Sequence, residues 1–65
     1  MLVIHDDVWR SDCVAGVTIV EGTSVIQLFL VGVGGPVSYE YDTVEEMRKE
    51  FMRVVTAWKK ERGEG

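Results

Sequence analysis

Residues 14–41 read VAGVTIVEGTSVIQLFLVGVGGPVSYEY, and this stretch decides the fold. It contains three runs rich in β-branched and aromatic residues, separated by EGTS at residues 21–24 and by GVGG at residues 32–35. Such residues favour strands, and a short glycine-containing break between two strands favours a hairpin turn. The stretch therefore predicts an antiparallel meander of three strands. The predicted strands span about residues 13–21, 24–33 and 36–42.

The two glycine-containing breaks predict how the strands pair. Gly22-Thr23 suits the centre of a type II′ turn, and Gly34-Gly35 suits the centre of a type I′ turn, where both residues need a positive φ. Each turn fixes the register of the two strands that it joins. The predicted pairs include Gly16 with Phe29, Val17 with Leu28, Ile19 with Ile26, Leu30 with Tyr39 and Leu28 with Tyr41.

This register separates the side chains onto two faces of the sheet, which a shift of one residue would mix. The face without charge, which we expect to be the core face, collects Cys13, Ala15, Val17, Ile19, Ile26, Leu28, Leu30, Val37, Tyr39 and Tyr41. The opposite face collects Val14, Gly16, Thr18, Val20, Val25, Gln27, Phe29, Val31, Ser38 and Glu40. On that basis Cys13 is predicted to be a buried, inert thiol.

The last third of the chain has the pattern of an amphipathic helix. Thr43 and Glu46 fit a capping box at its start, and the helix is predicted over about residues 43–61. Its apolar positions recur at helical spacing: Val44, Met47, Phe51, Val54, Val55 and Trp58. A short strand at about residues 1–5 is a candidate fourth strand. The predicted fold is therefore α+β, with three to four strands, one C-terminal helix packed on one face, and a single domain over residues 1–65.

Composition and charge narrow the classes of function. Hydrophobic residues make up 46% and charged residues 28%, as in folded globular chains. Residues 1–43 contain six acids and Arg10 as their only base, which disfavours a phosphate-binding sheet. The longest apolar run, residues 25–35, is far shorter than the about 20 residues of a membrane span. With a single cysteine as well, the sequence predicts a cytoplasmic protein that does not enter membranes.

Few residues could carry catalysis or hold a metal. His5 and Asp7 could share an ion on one side of a strand, but a structural zinc site needs four ligands. Cys13 could act as a nucleophile with His5, and this pair at a homomeric interface is one alternative for function. The glycines of residues 32–35 lack the lysine or following helix of a phosphate loop. We therefore predict no enzyme activity, no cofactor and no metal site.

A second alternative is a protein that binds single-stranded nucleic acid. Phe29, Tyr39 and Tyr41 lie on adjacent predicted strands and could stack on bases, with the basic residues of the helix contacting phosphates. In the order of its elements, strands followed by one helix, the chain resembles the single-strand-binding transcriptional coactivators. That resemblance implies nucleic-acid binding, whereas the predicted strands from residue 13 onward contain no basic residue.

The leading hypothesis is a non-catalytic, homo-oligomeric interaction or regulatory module. One helix can cover one face of the sheet, so the opposite face would present a contiguous apolar patch, which usually marks an interface. The predicted interface residues are Val14, Val20, Val25, Phe29 and Val31. A two-fold dimer would bury this patch in both copies, and no disulfide or metal stabilises so small a chain. The alternative is that the N-terminal segment, with Trp9, folds over the patch and leaves a monomer.

Overall fold

A computed structural model describes residues 1–63 of the chain. Its elements, in order, are β1 (Leu2–Ile4), β2 (Asp7–Trp9), a 3-10 turn (Ser11–Cys13), β3 (Val14–Ile19), β4 (Val25–Leu30), β5 (Val37–Glu40) and α1 (Val44–Glu61). The strands form two antiparallel sheets, one of β1 and β2 and one with the order β3-β4-β5. The α+β class, the meander and the C-terminal helix are therefore confirmed.

The N-terminus contains two strands where the sequence predicted one. β1 and β2 pair in a hairpin that matches Leu2 with Trp9 and Ile4 with Asp7. The connection is His5-Asp6, and His5 has a φ of 52°, the left-handed conformation that tight turns require. Residues 7–9 include one acid among three residues, so their own preference for a strand is weak. A pairing partner, rather than propensity, makes this segment a strand.

The hairpin of β3 and β4 has the predicted register. Gly16 pairs with Phe29, and Val17 pairs with Leu28. The turn itself lies one residue earlier than predicted, because the Thr23 N–H donates to the Val20 carbonyl at 3.2 Å. Gly22, with a φ of 78°, is therefore the third residue of the turn rather than the second.

A bulge at the start of β3 reverses two of the predicted positions. Gly16 pairs with Phe29 but Val14 pairs with Leu30, so Ala15 is an extra residue in β3. An extra residue shifts the alternation by one, so the residues before Ala15 lie on the opposite face from the one predicted. Val14 therefore lies in the core, at 5% exposure, and Cys13 is exposed. The predictions of a buried Cys13, of Ala15 on the core face and of Val14 on the outer face were wrong, since Ala15 is exposed as well.

The hairpin of β4 and β5 has a longer loop than predicted. Leu28 pairs with Val37 instead of Tyr41, a difference of four residues, and residues 31–36 form the loop. A two-residue turn at Gly34-Gly35 would be closed by an N–H on residue 36, and Pro36 has none. Gly35 has a positive φ of 90°, but Gly34 does not, so the type I′ turn was wrong. The predicted faces survive because the shift is even.

Helix α1 begins as predicted. The Thr43 hydroxyl accepts from the Glu46 N–H at 3.1 Å, which caps the first turn. The most deeply buried residues of α1 are Met47 and Val54, while Phe51 is half-buried. The apolar stripe therefore faces the sheet, with its centre between Met47 and Val54.

The helix and the N-terminal hairpin cover the same face of the three-stranded sheet, which we call the inner face. Its buried residues in β4 and β5 are Ile26, Leu28 and Tyr39. The main core cluster consists of Leu2, Ile4, Val14, Leu28, Tyr39 and Val54. Helix α1 contacts β1, β3 and β4, so the hairpin and the helix lie side by side over the inner face.

Candidate functional site

The opposite face of the three-stranded sheet, which we call the open face, carries neither the helix nor the hairpin. In β4 it presents Val25, Gln27 and Phe29, and Val20 lies beside Val25 at the end of β3. Phe29 is 40% exposed, and Val31, directly after β4, is 64% exposed. The structure thus places Val20, Val25 and Phe29 on this face, while Val31 lies beyond the end of β4, in a groove with Ala15 and Arg62. The fifth predicted interface residue, Val14, belongs to the core.

The open face is almost uncharged. Its polar side chains in the three strands are Thr18, Gln27 and Ser38, and its one charged side chain there is Glu40. Gly16 lies opposite Phe29, so the phenyl ring has no neighbouring side chain directly across β3. A surface with an exposed ring, two valines and few charges suits contact with another apolar surface.

A hydrogen-bonded cluster fixes the N-terminal hairpin onto β5. The Trp9 indole N–H donates to the Tyr39 hydroxyl at 2.8 Å, and that hydroxyl donates to Asp7 at 2.7 Å. Burial and the hydrogen bond to the Asp7 carboxylate raise the pKa of Tyr39 to about 12. The phenol therefore remains protonated at neutral pH and acts as a tether between the hairpin and the sheet.

His5 and Tyr41 lie at the other end of the same hairpin. The His5 ring makes edge contacts with Tyr39 and Tyr41, with centroid separations of 5.3 and 4.7 Å. The Tyr41 hydroxyl is buried and has no hydrogen-bond partner among the described residues. Burial, and then the charge of Glu50, raises the pKa of Tyr41.

A shallow cavity of about 480 Å³ beside Tyr41 is lined by Glu46, Lys49, Glu50 and Arg53 as well. Arg53 is already engaged there, since it donates to Glu50 and, at 2.6 Å, to the Val3 carbonyl. The hydrogen bond from Arg53 lowers the pKa of Glu50. Arg53 thus links α1 to the N-terminal hairpin. A ligand could bind Arg53 or Glu50 only by breaking these hydrogen bonds.

The structure separates His5 and Cys13, the two residues of the alternative enzyme hypothesis, within one chain. His5 packs on Tyr39 and Tyr41 at the β5 edge of the sheet, while Cys13 directly precedes β3 at the opposite edge. Within one chain they cannot act together. Among residues 1–63, no group of three or more His, Cys, Asp or Glu side chains is arranged to hold a metal ion. The glycines of residues 32–35 form the hairpin loop.

The residues suggested for nucleic-acid binding lie on different sides of the sheet. Tyr39 and Tyr41 belong to the inner face, where the Tyr39 hydroxyl is bonded to Asp7 and Trp9. Phe29 is on the open face, and the basic residues of α1 are on the helix side. A single strand of nucleic acid could not contact Phe29 and the basic side chains of α1 along one surface.

Sequence reasoning missed the cluster of Asp7, Trp9 and Tyr39. Trp9 two residues after Asp7 is the one local signal, because alternate residues of a strand share a face. Their common partner, Tyr39, is 30 residues away from Trp9 in the chain, and the sequence alone does not link them.

Comparison with known proteins identifies no relative. No protein-family description, curated protein or solved structure matches this chain. Among the described residues, no helix is both long enough and apolar enough to span a membrane. The candidate function is therefore argued from the open face and from the geometry around it.

Proposed function

We propose that this protein is a non-catalytic interaction module that associates with itself through the open face. The observation that carries the proposal is that the helix and the hairpin share the inner face and leave Phe29 exposed on the other side. Apolar surface of this kind is stabilised when another apolar surface excludes water from it.

A second copy of the chain is the partner that the open face fits. In a contact with two-fold symmetry each open face meets an identical one, so like charges would repel across it. The only charged side chain that the strands place on this face is Glu40, in the edge strand β5. In the register of the sheet, Val20, Val25 and Glu40 form one row across the open face, and Phe29 lies beyond Gln27 at the other end of β4. Phe29 and the two valines can therefore contact the second copy, with Glu40 on the edge strand.

The hydrogen-bonded side chains support a structural role rather than a catalytic one. Asp7, Trp9 and Tyr39 satisfy one another, and Arg53 is held by Glu50 and the Val3 carbonyl. We place the module in the cytoplasm, because the exposed thiol of Cys13 is typical of reducing compartments.

The experiment compares two substitutions that introduce the same charge. Phe29→Glu puts a carboxylate on the open face, while Thr56→Glu puts one on an exposed position of α1. Burying an unpaired charge between two copies costs several kcal/mol. We expect Phe29→Glu to reduce the average molar mass measured by light scattering at least twofold at micromolar concentration.

Thr56→Glu should leave the molar mass at the wild-type value. Circular dichroism of both variants checks that the chain is folded. A folded Phe29→Glu variant with the wild-type molar mass would show that the open face is not the contact between copies.

A further inference from the structure

β3 is an edge strand, and on its outer side the Ile19 carbonyl accepts a long hydrogen bond, 3.5 Å, from the Thr18 hydroxyl. The Val20 N–H donates to the Val25 carbonyl at 3.0 Å, towards β4. Because residues of an antiparallel strand alternate in direction, Val17 and Ile19 point their N–H and C=O groups away from β4. Within residues 1–63, β3 pairs with β4 alone. An extended strand is the partner that can satisfy such a row of donors and acceptors.

The two edges of the sheet differ in their protection against pairing. β5 is four residues long, is preceded by Pro36 and ends in Glu40, and these are features that protect natural edge strands. β3 is six residues long and has no proline and no charged residue. Its bulge at Ala15 interrupts the first part of the strand and leaves residues 16–19 regular.

Helix α1 adds apolar surface beside the β3 edge. Val44, in the first turn of α1, shares with Ile19 a groove that Arg48 also lines, and Arg62, after the last turn, shares a second groove with Ala15. The helix thus runs antiparallel to β3. At 3.6 residues per turn, Phe51 and Val55 lie on the same flank as Val44. Val44 is 47% exposed and the other two are half-buried.

We infer that β3 pairs with β3 of a second copy, antiparallel, about a two-fold axis at Thr18. This contact is distinct from the one through the open face. Val17 exchanges backbone hydrogen bonds with Ile19 of the second copy, and the two sheets become one of six strands. Neighbouring strands are about 4.8 Å apart, so helices lying over β3 and β4 come to roughly 10 Å from each other, a packing distance.

The chemistry of β3 favours a second copy over an unrelated strand. About a two-fold axis at Thr18 the strand meets its own sequence, so any charge near the axis would face a like charge. Residues 14–20 carry none. Glu21, the first acid after β3, falls opposite Ala15 of the second copy rather than opposite another acid. In this register the backbone groups of both Val17 and Ile19, which point away from β4, form hydrogen bonds with the second copy.

A cysteine at the axis tests the contact. In the double variant Cys13→Ser/Thr18→Cys, the only thiol lies where the strand meets itself, and Thr18 is exposed. Residues that face each other at such a position have Cα atoms about 4.5 Å apart, within the disulfide range. Two sheets packed through their open faces are about 10 Å apart, beyond the limit of about 7 Å. A disulfide here therefore reports edge pairing alone.

The matched control is Cys13→Ser/Val20→Cys, which moves the thiol two residues along the same face, to the position directly after β3. In the proposed register the two cysteines at position 20 are roughly 14 Å apart, because each lies four residues from its counterpart. With oxidised glutathione as the oxidant, we expect the cysteine at position 18 to form a covalent dimer at least ten times faster than the control. Equal rates, or no dimer, would overturn the inference.

Two further measurements keep the result interpretable. In the unmodified chain, the amide protons of Val17 and Ile19 should exchange more slowly at high protein concentration than after dilution. Unprotected exchange of these amides at high concentration would also overturn the edge contact. Adding Phe29→Glu to the Cys13→Ser/Thr18→Cys variant separates the two proposals, because loss of the open-face contact should leave the disulfide at the β3 edge.

Discussion

The two faces of the sheet carry similar side chains and have different surroundings. Leu28 on the inner face is completely buried, while the next residue, Phe29, is 40% exposed on the open face. Hydrophobicity alone does not separate these two positions. The difference arises because α1 and the N-terminal hairpin both pack on the inner face. An apolar residue left exposed for this reason marks the surface on which another molecule can be recognised.

The largest effect that we expect from this comparison is a difference in stability between substitutions at Leu28 and at Phe29. Leu28→Ala should lower the free energy of unfolding by about 2–5 kcal/mol, because it leaves a cavity in the core. Phe29→Ala, measured at a protein concentration where the chain is monomeric, should change it by less than about 1 kcal/mol. Urea denaturation of both variants measures these values. Equal losses at the two positions would remove the distinction between the faces.

An alkaline titration tests how the hairpin is held on the inner face. The pKa of Tyr39 is raised from 10.0 to about 12 in the folded chain. A raised pKa favours folding while the phenol is protonated, so this contribution is complete below pH 10 and disappears as the pH rises from 10 to about 12. The melting temperature of the wild type, measured across this pH range, should therefore fall as the pH rises.

Tyr39→Phe is the matched variant for that titration, because it removes the titrating hydroxyl and keeps the ring. Its hydrogen bonds to Asp7 and from Trp9 are lost, at a cost of about 1–3 kcal/mol at neutral pH. The part of the alkaline decline that comes from Tyr39 should disappear in this variant. An unchanged decline would assign the transition to other groups.

The smallest effect concerns the loop that delivers β5 to the sheet. Gly35 has a φ of 90° and Gly34 is not in the left-handed region. Gly35→Ala should therefore destabilise the fold by about 1 kcal/mol or more, while Gly34→Ala should be nearly neutral. Urea denaturation of the pair distinguishes this six-residue loop from a type I′ turn, in which both substitutions would cost about the same.

The sequence was sufficient for the elements whose signals are local. The capping box at Thr43 and the turn near Gly22 predicted the helix and the first hairpin. The bulge at Ala15 could not be predicted, because it depends on how β3 fits against β4 and the core. The missing N–H of Pro36 was visible in the sequence and argued against the type I′ turn.

Despite that error, the residues of β5 were assigned to the correct faces. The real register differs by four residues from the predicted one, and an even shift keeps every side chain on its face. Tyr39 was therefore expected on the inner face and lies there, although its partner is Ile26 rather than Leu30. The division of side chains between two faces therefore does not distinguish registers that differ by an even number of residues.

The most direct test of self-association is the molar mass of the unmodified chain, measured by light scattering over a dilution series from about 100 to 1 μM. The account predicts a mass that is a multiple of 7.3 kDa at the highest concentration and that falls towards 7.3 kDa on dilution. A mass of 7.3 kDa at every concentration would contradict it, since the open face would then be exposed to water in solution.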